Sequence, residues 1–136
     1  MRSLSQFILI FLSAFLLLSC SKNNEDKTPV IDRFGFYEGS VIMKVTRPSS
    51  TTNEPYNTFL EISKGENDQE IKLRFGTQFT RAVLNDNKFT IQETTFNIPP
   101  RVASGNGEFL MGNKVKINYN IMYDTVTINY SGTLTK

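Results

Sequence analysis

Residues 114–123 read KVKINYNIMY, and residues 126–135 read VTINYSGTLT. In each run, most alternate positions hold an apolar residue, and most of the positions between them hold a polar residue. Successive side chains of a β-strand point to opposite faces, so this pattern predicts half-buried strands with one apolar and one solvated face. Similar alternation recurs through residues 34–136 without a convincing helical period, which predicts an all-β domain.

Eight candidate strands follow from this alternation, and Gly, Asn and Asp between many neighbouring pairs predict tight hairpin turns. The candidate strands are residues 34–47, 56–64, 70–75, 79–84, 88–94, 102–111, 114–123 and 126–135. Because no helix is predicted that could cover their apolar faces, the sheet must cover itself. We therefore expect an eight-stranded antiparallel up-and-down meander in a closed or nearly closed barrel, with a two-sheet β-sandwich as the alternative.

Two longer breaks interrupt the predicted strands. Residues 48–55 read PSSTTNEP, a polar segment that predicts a loop. Residues 97–101 contain Pro99-Pro100, which cannot lie inside a central strand. Glycines on otherwise inward faces are expected either to let strands bend at barrel corners or to leave space beside a bulky neighbour. These glycines are Gly39, Gly105, Gly107 and Gly132.

The first twenty residues predict an export signal. Residues 7–18 read FILIFLSAFLLL, which is shorter than the 20 or so apolar residues of a bilayer-spanning helix. This length is typical of the hydrophobic region of a signal peptide, and Arg2 supplies the preceding positive charge. The motif Leu17-Leu18-Ser19-Cys20 then resembles a bacterial lipobox. That resemblance implies cleavage before Cys20 and lipid attachment to it, whereas the alternative is an ordinary signal peptide with an incidental cysteine.

These features predict three segments: a lipoprotein signal peptide at residues 1–19, a lipidated Cys20 with a flexible tether at residues 20–33, and a barrel domain at residues 34–136. Ser21 follows the cysteine where an Asp commonly marks inner-membrane retention, so the resemblance favours the outer membrane. The periplasmic and the cell-surface face both stay open. We expect attachment to the membrane through the N-terminal lipid.

The folded region carries a set of recurring glycine, aromatic and Asn motifs. They are Gly35-Phe36-Tyr37-Glu38-Gly39, Gly105-Asn106-Gly107, Gly112-Asn113, Ile117-Asn118-Tyr119 and Ile128-Asn129-Tyr130-Ser131-Gly132-Thr133-Leu134. In these motifs the region resembles the small lipocalin-like, calycin-type barrels of Bacteroidota lipoproteins, and Gly35-x-Tyr37 echoes the Gly-x-Trp of lipocalins. The resemblance implies a calycin-type barrel that binds a hydrophobic small molecule or a lipid.

Composition argues against catalysis. The 136 residues include 15 Lys and Arg, 13 Asp and Glu, no His and one Cys, with a formal charge of +2. No Ser-His-Asp triad, imidazole metal site or thiolate zinc cluster can be built from this set. Most carboxylates fall at predicted outward positions or in turns, and Lys and Arg do not cluster as in nucleic-acid-binding domains. We therefore expect no enzyme activity, cofactor, metal or nucleic-acid partner.

Seven aromatic residues on predicted inward faces are the candidate ligand-lining positions. They are Tyr37, Phe75, Phe89, Phe109, Tyr119, Tyr123 and Tyr130. An eight-stranded barrel has room for its own side chains or one small ligand, and so many bulky groups favour a filled interior. Two functions stay open: binding of a hydrophobic small molecule or lipid, and a solid barrel whose loops at residues 48–55 and 97–101 bind an envelope protein or a glycan.

Overall fold

Eight strands form one closed barrel in a computed structural model of the chain, which describes residues 32–97 and 99–136. The strands are β1 (Gly35–Arg47), β2 (Ser50–Lys64), β3 (Glu70–Phe75), β4 (Gln78–Asn85), β5 (Lys88–Asn97), β6 (Pro100–Leu110), β7 (Lys114–Tyr123) and β8 (Val126–Thr135). Sequential strands pair antiparallel, and β1 also pairs with β8. The predicted all-β meander barrel is confirmed, and the β-sandwich alternative is wrong. The predicted signal peptide and Cys20 lie outside the described residues.

The alternation predicted for β7 matches its burial. Val115, Ile117 and Tyr119 are buried, whereas Lys116 and Asn118 between them are exposed. In β2 the apolar residues are adjacent and alternation is blurred, because one of them belongs to the outer face. Leu60 and Ile62 enter the core, while Phe59 between them points outward.

The two predicted loops are much shorter in the structure, so that part of the prediction is wrong. β2 begins at Ser50 and pairs with β1 from Arg47↔Ser50 onward, which leaves only a two-residue turn at residues 48–49. The backbone N–H and C=O groups of this polar segment pair with those of β1, so the segment forms a strand although its side chains are exposed. β6 begins at Pro100, the position at a strand start where a missing N–H is tolerated. Both segments are therefore arms of hairpins.

The two ends of the barrel differ, and we call them the base and the mouth. The base is the end at which β1 begins and β8 finishes. The mouth carries the hairpin turns that join β1 to β2, β3 to β4, β5 to β6, and β7 to β8. Because the meander is regular, every inward position can be assigned to a height between these two ends.

The base is closed by the segment that precedes β1. The hydroxyl of fully buried Tyr37 donates to the backbone oxygens of Asp32 at 3.2 Å and Arg33 at 3.1 Å. The Arg33 guanidinium lies 5.7 Å from the ring centroid of Phe109. The hydrogen bond and charge of Lys136 lower the pKa of the Asp32 carboxyl, against a smaller opposing effect of desolvation. These contacts hold the segment across the base.

The wall of the barrel is uneven near the mouth. β2 pairs with β3 only from Leu60 to Lys64, so residues 50–59 extend beyond the short β3–β4 hairpin. β4 pairs with β5 at only four positions, from Ala82↔Ile91 to Asn85↔Lys88. A bulge in β5 between Ile91 and Thr94 follows that ladder. The wall is therefore low and partly unpaired at β3 and β4.

Two inward glycines are required by close contacts in the core. A Cβ on Gly107 would collide with the ring of Phe89, which packs at a tilt against Phe109 with ring centroids 5.3 Å apart. A Cβ on Gly105 would collide instead with the backbone oxygen of Asn118. Gly107 thus leaves space for a side chain, whereas Gly105 allows two backbones to approach closely.

We expect Gly107→Ala to lower the free energy of unfolding by about 1–3 kcal/mol, because the added methyl overpacks the core against Phe89. Phe89→Leu removes the far end of that ring. In the Phe89→Leu background the cost of Gly107→Ala should therefore be much smaller, as measured by a double-mutant cycle in urea.

Gly105→Ala is the matched control for this cycle. Its added methyl meets backbone, which Phe89→Leu cannot relieve. Its cost should be the same in both backgrounds. Equal rescue of Gly105→Ala and Gly107→Ala would contradict the assigned packing.

Candidate functional site

Four aromatic side chains gather at the mouth, and we call them the mouth cluster: Tyr56, Phe75, Tyr119 and Tyr130. Tyr130 lies at its centre, with ring-centroid distances of 5.4 Å to Tyr56, 5.1 Å to Phe75 and 6.5 Å to Tyr119. Phe75 and Tyr119 are 5.0 Å apart. All four pairs are tilted, the geometry that aromatic quadrupoles favour. The cluster joins β2, β3, β7 and β8 across the barrel.

Solvent reaches the inner face of the barrel at this end. Along β8, Leu134 near the base is fully buried, whereas Val126, Ile128 and Tyr130 near the mouth are only half-buried. Tyr56 retains 42% of its exposure although its position in β2 is inward. The low wall at β3 and β4 thus leaves an apolar, aromatic surface that a ligand can contact.

Polar groups accompany the cluster. The Tyr119 hydroxyl donates to Oε1 of Gln78 at 2.8 Å. Burial raises the pKa of Tyr119 well above its usual range, the Arg101 cation lowers it in part, and Tyr130 raises it further. Burial, followed by Tyr56 and Tyr123, likewise raises the pKa of Tyr130. Both phenols are therefore neutral hydrogen-bonding groups at neutral pH.

The predicted ligand-lining residues divide between the two ends. Tyr37, Phe89 and Phe109 fill the base and are buried. Phe75, Tyr119 and Tyr130 meet in the mouth cluster. Tyr123 ends β7 beside the turn and is 37% exposed. The structure therefore brings three of these residues together, with Phe75 and Tyr119 buried in the core and Tyr130 half-buried above them.

Sequence reasoning missed two residues at the mouth, Tyr56 and Arg101. Tyr56 shares the inward alternation of Leu60 and Ile62, a signal that was available but was blurred by Phe59. Arg101 lies two residues before buried Ala103, so it shares the inward alternation of β6. The Pro99-Pro100 pair predicted a loop there, which hid the alternation.

The grooves among the described residues open on the outer wall. One of about 350 Å³ lies where β4 and β5 separate, and it reaches core residue Leu73 and buried Thr80. Another of about 410 Å³ crosses β5, β6 and β7, and one of about 540 Å³ lies along β1 and β2. The groove beside β4 lies at the unpaired part of the wall, and the groove across β5, β6 and β7 reaches core residues Phe89 and Ile117.

The outer wall carries a second aromatic feature, which we call the outer ladder: Phe36, Glu61, Arg74 and Phe79. These residues stand directly opposite one another across β1, β2, β3 and β4. Arg74 Nε donates to Glu61 Oε2 at 2.6 Å, and the guanidinium lies 5.7 Å from Phe36 and 5.9 Å from Phe79. Phe36 and Phe79 are 52% and 67% exposed, so the ladder is a solvent-facing surface.

Among residues 32–97 and 99–136, no group of three or more Cys, Asp or Glu is placed to hold a metal ion. In that same part of the chain, no helix is long and apolar enough to cross a membrane.

Neither protein-family models nor curated proteins match the sequence. The closed eight-stranded barrel itself is consistent with a lipocalin-like architecture.

We expect stability to fall as the pH rises above 10, the ordinary pKa of tyrosine. Burial raises the folded-state pKa of Tyr119 above that value. The neutral phenol therefore stabilises the fold fully below pH 10, and this stabilisation is lost as the pH rises through the folded-state pKa. Tyr119→Phe should lower the free energy of unfolding at pH 8 by about 0.5–1.5 kcal/mol through the lost hydrogen bond. It should also flatten the alkaline decline.

Urea unfolding from pH 8 to pH 11.5 measures both effects. Gly107→Ala is the control, because it lowers the free energy of unfolding without removing a phenol, so it should keep the wild-type slope. An unchanged slope in Tyr119→Phe would show that the buried phenol does not drive the alkaline loss.

Proposed function

We propose that this chain is a non-catalytic lipoprotein of the cell envelope whose lipocalin-like barrel binds a hydrophobic small molecule or lipid at its mouth. The mouth cluster is the single observation that carries the proposal. It is apolar, inward-facing and partly exposed, and it lies above a filled base. Ligand sites combine such surfaces with a few polar groups, which the Tyr119–Gln78 pair supplies here.

The filled base limits how deep a ligand can lie. Phe89, Phe109 and Tyr37 occupy the lower interior, and residues 32–34 close it from outside. The ligand is therefore a small or partly inserted molecule that packs on Tyr130 and Phe75 and leaves one end near solvent. The low wall at β3 and β4 supplies its access.

The proposed anchor fits this arrangement. Cys20 precedes Asp32 by a short polar segment, and Asp32 lies at the base. A lipid on Cys20, placed by resemblance in the outer membrane, would attach the chain to either face of that membrane through the segment that precedes the barrel.

The neutral fluorophore N-phenyl-1-naphthylamine should bind the barrel saturably with increased emission. Tyr130→Ala removes the central ring of the mouth cluster, so it should weaken binding by about tenfold, which corresponds to about 1.4 kcal/mol. Fluorescence titration measures the affinity, and far-UV circular dichroism verifies that the variant keeps its β-structure.

Phe79→Ala on the outer wall is the matched control, since it also removes an exposed ring. It should leave the affinity unchanged. Loss of binding in Phe79→Ala with retention in Tyr130→Ala would move the site from the mouth to the outer wall.

Cys20→Ala should move the full-length chain from the membrane fraction to the soluble fraction of a bacterial host with lipoprotein-processing enzymes. The reason is that the thiol is the attachment point for lipid, and stable anchoring needs more than one acyl chain. Immunoblots of the fractions and labelling with an alkyne fatty acid measure the change.

Ser21→Ala leaves the thiol in place and is the control for this experiment. It should stay labelled and membrane-bound. Persistence of Cys20→Ala in the membrane fraction would contradict lipid anchoring through this residue.

A second function is favoured by the outer ladder: binding of an envelope protein or a glycan. Aromatic residues and arginine are enriched at protein-binding surfaces, and the outer ladder presents two exposed Phe rings beside Arg74. In this case Phe36→Ser together with Phe79→Ser should abolish capture of a cell-envelope glycan or protein, while binding of the neutral fluorophore persists. The two functions thus depend on opposite faces of the same wall.

A further inference from the structure

Arg101 is a cation that faces the interior near the mouth. It stands at an inward position of β6, directly opposite Phe96 of β5. Its guanidinium lies 5.0 Å from the ring centroid of Phe96, and Phe96 packs against the core. Arg101 and Tyr119 both face the interior from the neighbouring strands β6 and β7, and the Arg101 cation lowers the pKa of Tyr119 in part.

The Arg101 guanidinium has an unused donor. Its Nε is buried and has no hydrogen-bond partner among the described residues. The five salt bridges in this part of the chain all involve other cations. A buried donor on a charged group destabilises the fold when it is left without an acceptor. The fold therefore keeps at the mouth a cationic donor that an incoming anion can satisfy.

We propose that Arg101 binds the anionic head group of an amphiphilic ligand whose apolar part packs on the mouth cluster. This inference rests on the proposed function and names the class of its ligand: a small organic acid with an apolar or aromatic body. Guanidinium forms paired hydrogen bonds with carboxylate, sulfonate or phosphate oxygens, and such charge-assisted bonds are stronger than neutral ones.

The surroundings suit one anion and one apolar body. The Tyr119 hydroxyl already donates its proton to Gln78 and is neutral. It therefore neither repels a bound anion nor donates to it, and Arg101 is left as the donor. The carboxylates nearest the mouth along the chain are Glu54 in β2, Glu93 in β5 and Asp124 in the β7–β8 turn, and all three are exposed. Phe96 beside Arg101 supplies an apolar contact, and the mouth cluster supplies an aromatic surface at the same end of the barrel.

A matched pair of probes tests the head group. 1-Anilinonaphthalene-8-sulfonate and N-phenyl-1-naphthylamine share one skeleton and differ by the sulfonate. Arg101→Gln removes the charge and should weaken binding of the sulfonate at least tenfold, with less than a threefold change for the neutral probe. Arg101→Lys keeps the positive charge but lacks the paired N–H donors of guanidinium, so it should retain an intermediate sulfonate affinity.

Lys64→Gln is the control for net charge. Lys64 is exposed at the base end of β2 and pairs with Asp68 at 3.1 Å, so its loss should leave both affinities unchanged. Circular dichroism and thermal melting verify the fold of each variant.

A measurement on the wild-type chain is independent of any variant. Decanoate should raise the melting temperature more than decanol at equal concentration, because only the acid supplies an acceptor for Arg101.

The outcomes separate this inference from the proposed function. If the neutral probe binds but Arg101→Gln weakens both probes equally, Arg101 only packs and the head-group assignment is wrong. If sulfonate affinity survives in Arg101→Gln, or decanol stabilises as well as decanoate, the anion is not bound at Arg101. If the wild-type chain binds neither probe and neither decanoate nor decanol stabilises it, the proposed function fails together with this inference.

Discussion

The pairing of the first strand with the last is the constraint on which this structure depends. β1 hydrogen-bonds to β8 from Glu38↔Thr135 to Thr46↔Thr127, which closes a sheet that no helix in the described residues covers. Closure gives the free edges of β1 and β8 hydrogen-bonding partners. It also brings the apolar faces of all strands together in one shared core. A core of this kind tolerates small gaps in other ladders, because its remaining strands stay packed around it. The low wall at β3 and β4 is possible for that reason.

The fold was largely predictable from the sequence, since alternation and turn chemistry act locally. Asp86, Asn113 and Asp124 adopt positive φ in turns, as residue types that tolerate this conformation should. The arm at residues 50–55 was not predictable, because its strand conformation comes from pairing with β1 and not from any apolar pattern of its own. Prediction of strands from burial alone fails wherever both faces of a strand meet solvent.

The candidate site was predictable only in part. Phe75, Tyr119 and Tyr130 carry an inward alternation that is visible in the sequence, but alternation does not give the height of a residue in the barrel. Height depends on where each hairpin turns and on which ladders stop early, as at Leu60↔Phe75. Tyr37 and Tyr130 therefore appear equivalent in the sequence, although one is sealed at the base and the other lies at the mouth.

The division between base and mouth follows from how the barrel distributes its packing. At the base, Tyr37 satisfies its hydroxyl on backbone oxygens and Gly107 makes room for Phe89, so apolar and polar requirements are met internally. At the mouth, Tyr130 stays half-buried and the Nε of Arg101 lacks a partner among the described residues. Complete packing gives stability, whereas unmet contacts leave free energy for a ligand to gain. The same closed sheet thus supports a fully packed lower half and an upper half in which, among the described residues, aromatic contacts and one cationic donor stay unmet.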